Sequence, residues 1–232
     1  MQKVKYLELL DKLKASRYKK RTQSLCCFNA KKGSEYNNNL MVVGRAVNGW
    51  CNEFKLCDLD TVSMVEQIFN QHDSTCPLQW VEDSWGRRDG YSTKSSAFWR
   101  VIKNISQRLN KLESCTGWAN KIVWSNLYKI APSDKGNPSE SLSNEQFSLC
   151  NELLLTEIKE YQPKVILFFT GLNWFNGFLN DSICLEKGED SVLVEVHGSL
   201  NIDNKKIIII VAKHPQGKPE ADMVDEIMNI IS

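Results

Sequence analysis

The sequence predicts an α/β fold, a three-layer α/β/α sandwich with a central parallel four-stranded sheet. Four apolar runs lead there: Leu40-Met41-Val42-Val43, Ile122-Val123-Trp124, Val165 to Phe169 and Ile207 to Val211. Each passes directly into a polar or glycine-containing turn, the pattern of strands buried on both faces. The intervals between the runs carry apolar residues at helical spacing, and strands that alternate with helices indicate a parallel sheet. Composition agrees: 232 residues with 42% hydrophobic and 25% charged side chains make an ordinary globular chain, long enough to bury roughly 70–75% of its unfolded surface without staples.

Taken in order, residues 1–16 read as a helix with Val4, Leu7 and Leu10, extended by Leu13 and Lys14, at helical spacing on one face. Lys12, Lys14, Arg17, Lys19, Lys20 and Arg21 follow, opposed only by Glu8 and Asp11, so residues 1–24 form a basic N-terminal helix and arm. A solvated helix face and a phosphate-binding arm are both compatible with that run. Residues 29–39 are a polar loop. The first strand, from Leu40, ends at Gly44. Ser96 to Leu112 is an amphipathic helix with Phe98, Val101, Ile102, Ile105 and Leu109 on one face. After the second strand and Ser125-Asn126, the capping box Ser143-Asn144-Glu145-Gln146 opens a helix that Pro163 ends. Val192 to Val196 pairs antiparallel with the Ile207 run through a turn at Asp203-Asn204, and a last helix covers about Pro219 to Ile230. The expectation is one domain over residues 1–232.

Several function classes are excluded. The longest aliphatic run, Ile207 to Val211, is far short of the roughly 20 residues of a membrane-spanning helix. Met1 to Tyr6 does not begin a signal peptide, which points to a cytoplasmic protein with reduced thiols. Its eight cysteines form no C-x-x-C pair and read mostly as small buried groups, Cys26-Cys27 being adjacent. The three histidines, His72, His197 and His214, leave little scope for a metal site. P-loop, G-x-S-x-G and H-E-x-x-H motifs do not occur, and Gly171-Leu172-Asn173-Trp174 lacks dinucleotide-binding spacing. Trp85-Gly86-Arg87-Arg88-Asp89-Gly90 is a loop with two adjacent cations. A net charge of +1 argues against bulk coating of nucleic acid, though not against a local patch.

In open parallel sheets the ligand sits beyond the carboxyl ends of the strands. Gly44–Trp50, Ser125–Gly136, Thr170–Trp174 and His214–Gly217 are therefore expected to share one cleft. Their order resembles the uracil-DNA glycosylase superfamily over roughly Leu40 to Glu226. Gly44-Arg45-Ala46-Val47-Asn48-Gly49 stands in the place of the first motif, Ser125-Asn126 in that of the base-reading motif, and His214-Pro215-Gln216-Gly217 in that of the last. Asn126 to Pro132 with Gly136 to Ser139 is similar to the iron–sulfur branch, and Ser95 to Arg100 to the mismatch-specific branch.

The resemblance implies that His214 donates to the departing base and Asn126 reads its edge. It places Trp50 against the base, Gly44, Arg45, Ala46 and Pro215 around it, and Lys213, Gln216, Gly217 and Lys218 on the DNA backbone. Asn48 is assigned the water. Two departures stand out. Ile130 replaces one cluster cysteine and only Cys150 falls where another belongs, so no iron–sulfur cluster, metal or other cofactor is expected. Arg45 and Ala46 stand where active members carry a carboxylate or amide. The readings are thus a DNA glycosylase removing uracil or a related base, a base-binding module without catalysis, and a small-molecule enzyme on the same fold. The partner is DNA, without membrane association, and the chain is taken as a monomer.

Overall fold

The computed structural model describes residues 1–50, 52–70, 76–134, 136–179, 183–187 and 191–232. His72 and Lys135, which fall among the residues considered above, lie outside that description. In chain order the elements begin with helix α1 (Gln2–Ala15) and strands β1 (Leu25–Cys27), β2 (Lys31–Lys32), β3 (Leu40–Gly44) and β4 (Glu53–Phe54). Helices α2 (Thr61–Phe69), α3 (Gln79–Asp83) and α4 (Ala97–Leu109) precede β5 (Ile122–Asn126) and β6 (Ile130–Pro132). Helix α5 (Glu140–Tyr161), β7 (Val165–Phe168), α6 (Leu172–Phe175), β8 (Ile183–Glu186), β9 (Val194–Ile202), β10 (Lys205–Ala212) and α7 (Glu220–Ile231) complete the chain. These elements form two compact units, residues 1–30, 44–73 and 126–160 in the first and 31–43, 74–125 and 161–232 in the second.

The second unit is built on a mixed sheet in the order β2-β5-β3-β7-β10-β9-β8. All four apolar runs are strands of it and occupy adjacent places. β7 pairs in parallel with both β3 and β10, and Val43 and Val211 both stand opposite Phe168. The expected four-stranded parallel sheet is corrected to a seven-stranded mixed one, because β2, β9 and β8 join by antiparallel pairing. Edge strands need an apolar pattern on one face at most, and β9 and β8 are largely half-buried or exposed, so their sequences lack the signal of the central runs. The β9–β10 hairpin turns at Asp203 and Asn204, with φ of 50° and 62°, the left-handed pair that a two-residue turn requires.

Helix α4 buries Trp99 among Trp80, Trp118 and Trp124, with ring centroids 5.8, 6.3 and 5.1 Å away. It packs on α7, to which Arg100 is tied by Nε bonds of 2.9 and 3.2 Å to the Glu220 carboxylate.

In the first unit α1 packs on α2 and buries Tyr6, Leu9, Leu10 and Leu13. Leu10 and Leu13 are buried as expected, but the face is rotated: Val4 is exposed, and Tyr6 enters the core, its hydroxyl donating to the Phe28 carbonyl at 2.9 Å. Much of the basic N-terminal segment is engaged within the chain. Lys12 Nζ donates to Ser148 Oγ at 2.9 Å, Lys14 Nζ to the Leu59 carbonyl at 2.7 Å, and Arg21 Nη2 to the Lys14 carbonyl at 2.9 Å, which closes the end of α1. A small antiparallel sheet, β4-β1-β6, lies in this unit. Helix α5 starts one turn earlier than the capping box suggested. Ser139 Oγ accepts from the Leu142 N–H at 3.3 Å, and Ser143 lies inside the helix.

Gly198 of β9 faces Leu185 of β8, and a Cβ there would lie 1.9 Å from the Cys184 carbonyl oxygen. Only a residue without a side chain permits that approach. Gly198→Ala is expected to push β8 off the sheet edge and to cost about 1–3 kcal/mol, measured as a lowered midpoint in chemical denaturation.

Candidate base-binding site

The sequence-predicted residues fall into two groups, one in each unit. In the first unit, the chain leaves β3 at Gly44 and β5 at Asn126, and the two exits are bonded to each other. The Leu127 N–H donates to the Gly44 carbonyl at 2.9 Å and the Tyr128 N–H to the Arg45 carbonyl at 3.0 Å. Asn126 is buried, with only 2% of its surface exposed, as suits a side chain that meets a ligand away from bulk water.

Ahead of Asn126's partners, the first-motif loop turns through Val47, which is buried, and Asn48, which is exposed. Asn48 Oδ1 accepts the Gly136 N–H at 2.8 Å. One lone pair of that oxygen thus fixes the loop, and its second lone pair and the Nδ2 protons are left to other partners. Gly49, at φ 77°, has its Cβ direction 3.4 Å from the Ser133 carbonyl oxygen, so the loop lies against Ser133 as well as Gly136. That second loop carries an exposed carboxylate, Asp134, which reading by motif passed over. Trp50 is half-buried and meets Phe28 edge to face at 5.2 Å, so one of its contacts is to the core. Ala46 is half-buried beside it in the chain.

In the second unit, His214 follows β10. The main-chain N–H of Gln216 donates to His214 Nδ1 at 3.2 Å. Nδ1 therefore presents its lone pair, and the proton of the neutral ring sits on Nε2. The imidazole lies nearly parallel to the Phe98 ring, 15° off at a centroid distance of 6.4 Å, and Phe98 in turn meets Phe169 edge to face at 5.8 Å. Phe98 belongs to the Phe-Trp start of α4 seen in the sequence; its place beside the histidine was not legible there, because it depends on a contact between distant segments.

Pro215 is buried, and its carbonyl accepts the Lys218 N–H at 3.0 Å across a turn with Gly217 at φ 70°. Gln216, Gly217 and Lys218 are exposed on that turn. Lys213 is half-buried, with its N–H on the Leu193 carbonyl at 2.9 Å.

At the two places where the resemblance looked for cluster ligands, the chain has Ile130 and Cys150, with the Gln146 amide between them. Gln146 of α5 accepts from the Ile130 N–H at 3.0 Å and donates to the Ile130 carbonyl at 2.8 Å, and Cys150 Sγ lies 3.3 Å from Gln146 Oε1. Burial pushes the Cys150 thiol up to about 12, so it is held as S–H near neutral pH. This donor set does not fit a four-cysteine cluster. Among the described residues, no group of three or more His, Cys, Asp and Glu side chains is placed to hold a metal ion.

With this geometry in view, comparison with known families is decisive. A model of the uracil DNA glycosylase superfamily matches residues 74–220, more than half of the chain. The chain belongs to the uracil DNA glycosylase superfamily. The matched span takes in Phe98, Asn126 and His214, and Gly44 to Trp50 precede it. A search of curated proteins gave no match. The fold is α/β, as the sequence and the resemblance implied. Among the described residues no helix is long and apolar enough to cross a membrane.

Thiol reactivity tests the burial around Gln146. At pH 8, alkylation of the native protein is expected to modify Cys57, Cys115 and Cys184, which are exposed, and to leave Cys26, Cys27, Cys76 and Cys150 intact until denaturant is added. Mapping by mass spectrometry checks this site by site.

Proposed function

We propose that this member of the superfamily removes uracil or a related damaged base from DNA by hydrolysing its N-glycosidic bond. The observation that carries the proposal is the bond from the Gln216 N–H to His214 Nδ1, which orients the ring so that, in its neutral form, the proton is on Nε2. The reaction develops an oxocarbenium-like sugar and a negative charge on the departing base. A donor positioned beforehand at the base carbonyl would stabilise that charge without reorganisation. In the proposed step, the target nucleotide leaves the stack and its base meets Asn126, whose amide can donate to one edge atom and accept from the next. His214 Nε2 donates to the carbonyl that gains charge as the C–N bond breaks. Water orientation falls to Asn48, through the groups that Gly136 does not occupy.

Gly44, Arg45, Ala46, Trp50 and Pro215 are proposed as the surroundings of the base. Lys213, Gln216, Gly217 and Lys218 are proposed to meet the backbone, a role that suits the exposed turn after His214. The proposal includes the three-layer arrangement of a single domain, a cytoplasmic location, DNA as partner and a monomeric state. Neither Asn48 nor any other first-motif residue is a strong base, so the rate rests on positioning and anion stabilisation.

A second reading, a base-binding protein without catalysis, is favoured by Arg45 and Ala46 in the positions where active members carry a carboxylate or amide. Labelled oligonucleotides containing uracil, hypoxanthine or a mismatch, treated with alkali after incubation, separate the two. The glycosylase reading expects strand cleavage that falls about 10²–10³-fold in His214→Ala, the cost of losing one preorganised donor, and falls likewise in Asn126→Ala. Retained DNA or base binding with no cleavage of any substrate would establish the second reading instead.

A further inference from the structure

The turn that carries Asn126 is held at nearly every step. Its carbonyl accepts from Lys129 Nζ at 2.8 Å; Leu127 and Tyr128 donate their N–H groups to Gly44 and Arg45; the Lys129 carbonyl accepts from the Phe28 N–H at 2.8 Å; and Gln146 takes both main-chain groups of Ile130. Lys129 is the unusual member. Its ammonium is fully buried and lies 2.8 and 2.9 Å from the two oxygens of Glu157, which is also fully buried.

An ion pair taken wholly out of water gains little net stability, and an apolar pair of similar volume does as well. What such a pair offers, and an apolar pair cannot, is a directed cationic donor. Here that donor reaches back three residues along the chain to the Asn126 carbonyl, and Glu157 fixes it to the same 22-residue helix, α5, that carries Gln146. We infer that Lys129 and Glu157 are positioning residues for Asn126: the buried pair anchors the Asn126 peptide to α5, so that the side-chain amide is presented to a base in one orientation. A reading group held by its own supporting shell loses less freedom when it binds, and discriminates better.

This inference rests on the proposed base-reading role of Asn126, and the experiment separates the two. The double variant Lys129→Met/Glu157→Leu removes both charges while keeping the volume, so neither ion is left unpaired. Its thermal midpoint, its amide hydrogen exchange and its kcat/KM for uracil-containing against hypoxanthine-containing oligonucleotides are measured beside the wild type and Asn126→Ala. The inference expects a folded double variant with faster exchange at Leu127 to Ile130 alone, and a uracil preference reduced at least tenfold toward that of Asn126→Ala.

A folded double variant with unchanged exchange and unchanged preference would overturn the inference and leave the glycosylase reading standing. An unfolded double variant would also overturn it, by showing that the pair serves the stability of the core. A wild type without cleavage contradicts the glycosylase reading. The exchange data then decide the anchor by themselves, faster exchange confined to Leu127–Ile130 supporting it and unchanged exchange refuting it.

Discussion

Parallel pairing of β3, β7 and β10 in one register is the constraint from which the rest follows. A parallel ladder cannot be closed by a tight turn, so each strand must be followed by a long return path. Phe168 stands opposite both Val43 and Val211. The three strands therefore end level, and the chain departs from one edge into Gly44, Phe169 and Ala212. Ligands of open α/β sheets generally bind beyond such strand ends. The antiparallel strands β9 and β8 extend the sheet without adding such departures.

Two devices hold the residues after the strands. Behind Asn126, main-chain groups are matched one by one, by strand-like bonds to Gly44 and Arg45, by the amide of Gln146 and by the buried ammonium of Lys129. At His214 the Gln216 N–H meets Nδ1 and so favours the tautomer with its proton on Nε2. Both are local arrangements in which the backbone sets the chemistry of a side chain. Neither needs a charged group at the reacting centre, and the buried ionic pair lies behind the Asn126 peptide and works through its carbonyl.

The core strands, the β9–β10 hairpin and the family were legible because each has a local signature: runs of β-branched and aromatic residues, Asp203-Asn204 in a two-residue turn, and Asn126 and His214 at strand ends. β1, β2, β4 and β6 escaped notice because strands of two or three residues have no period to detect. The start of α5 was placed too late because Ser139, followed by Glu140, caps one turn before the stronger-looking Ser143 motif. The face of α1 was legible at Leu10 and Leu13 but not at its start, where Tyr6, amphipathic in sequence, finds a partner for its hydroxyl in the Phe28 carbonyl. Phe98 beside His214 and Glu157 beside Lys129 are long-range contacts, and a single sequence carries no mark of them.

The first-motif loop is where the chain departs furthest from the family pattern, and its chemistry is correspondingly mild: an amide already bonded to Gly136, with Arg45 and Ala46 where a carboxylate or amide is usual. In the proposed reading, catalysis rests on how the base is held. The most direct measurement is a titration of the isotopically labelled protein with free uracil, observed by NMR at the Asn126 side-chain amide and the His214 imidazole nitrogens. The account predicts that both sets of resonances shift with one saturation curve, while His214 Nε2 keeps its proton. Uracil that leaves both unmoved, or a His214 ring protonated on Nδ1, would contradict it.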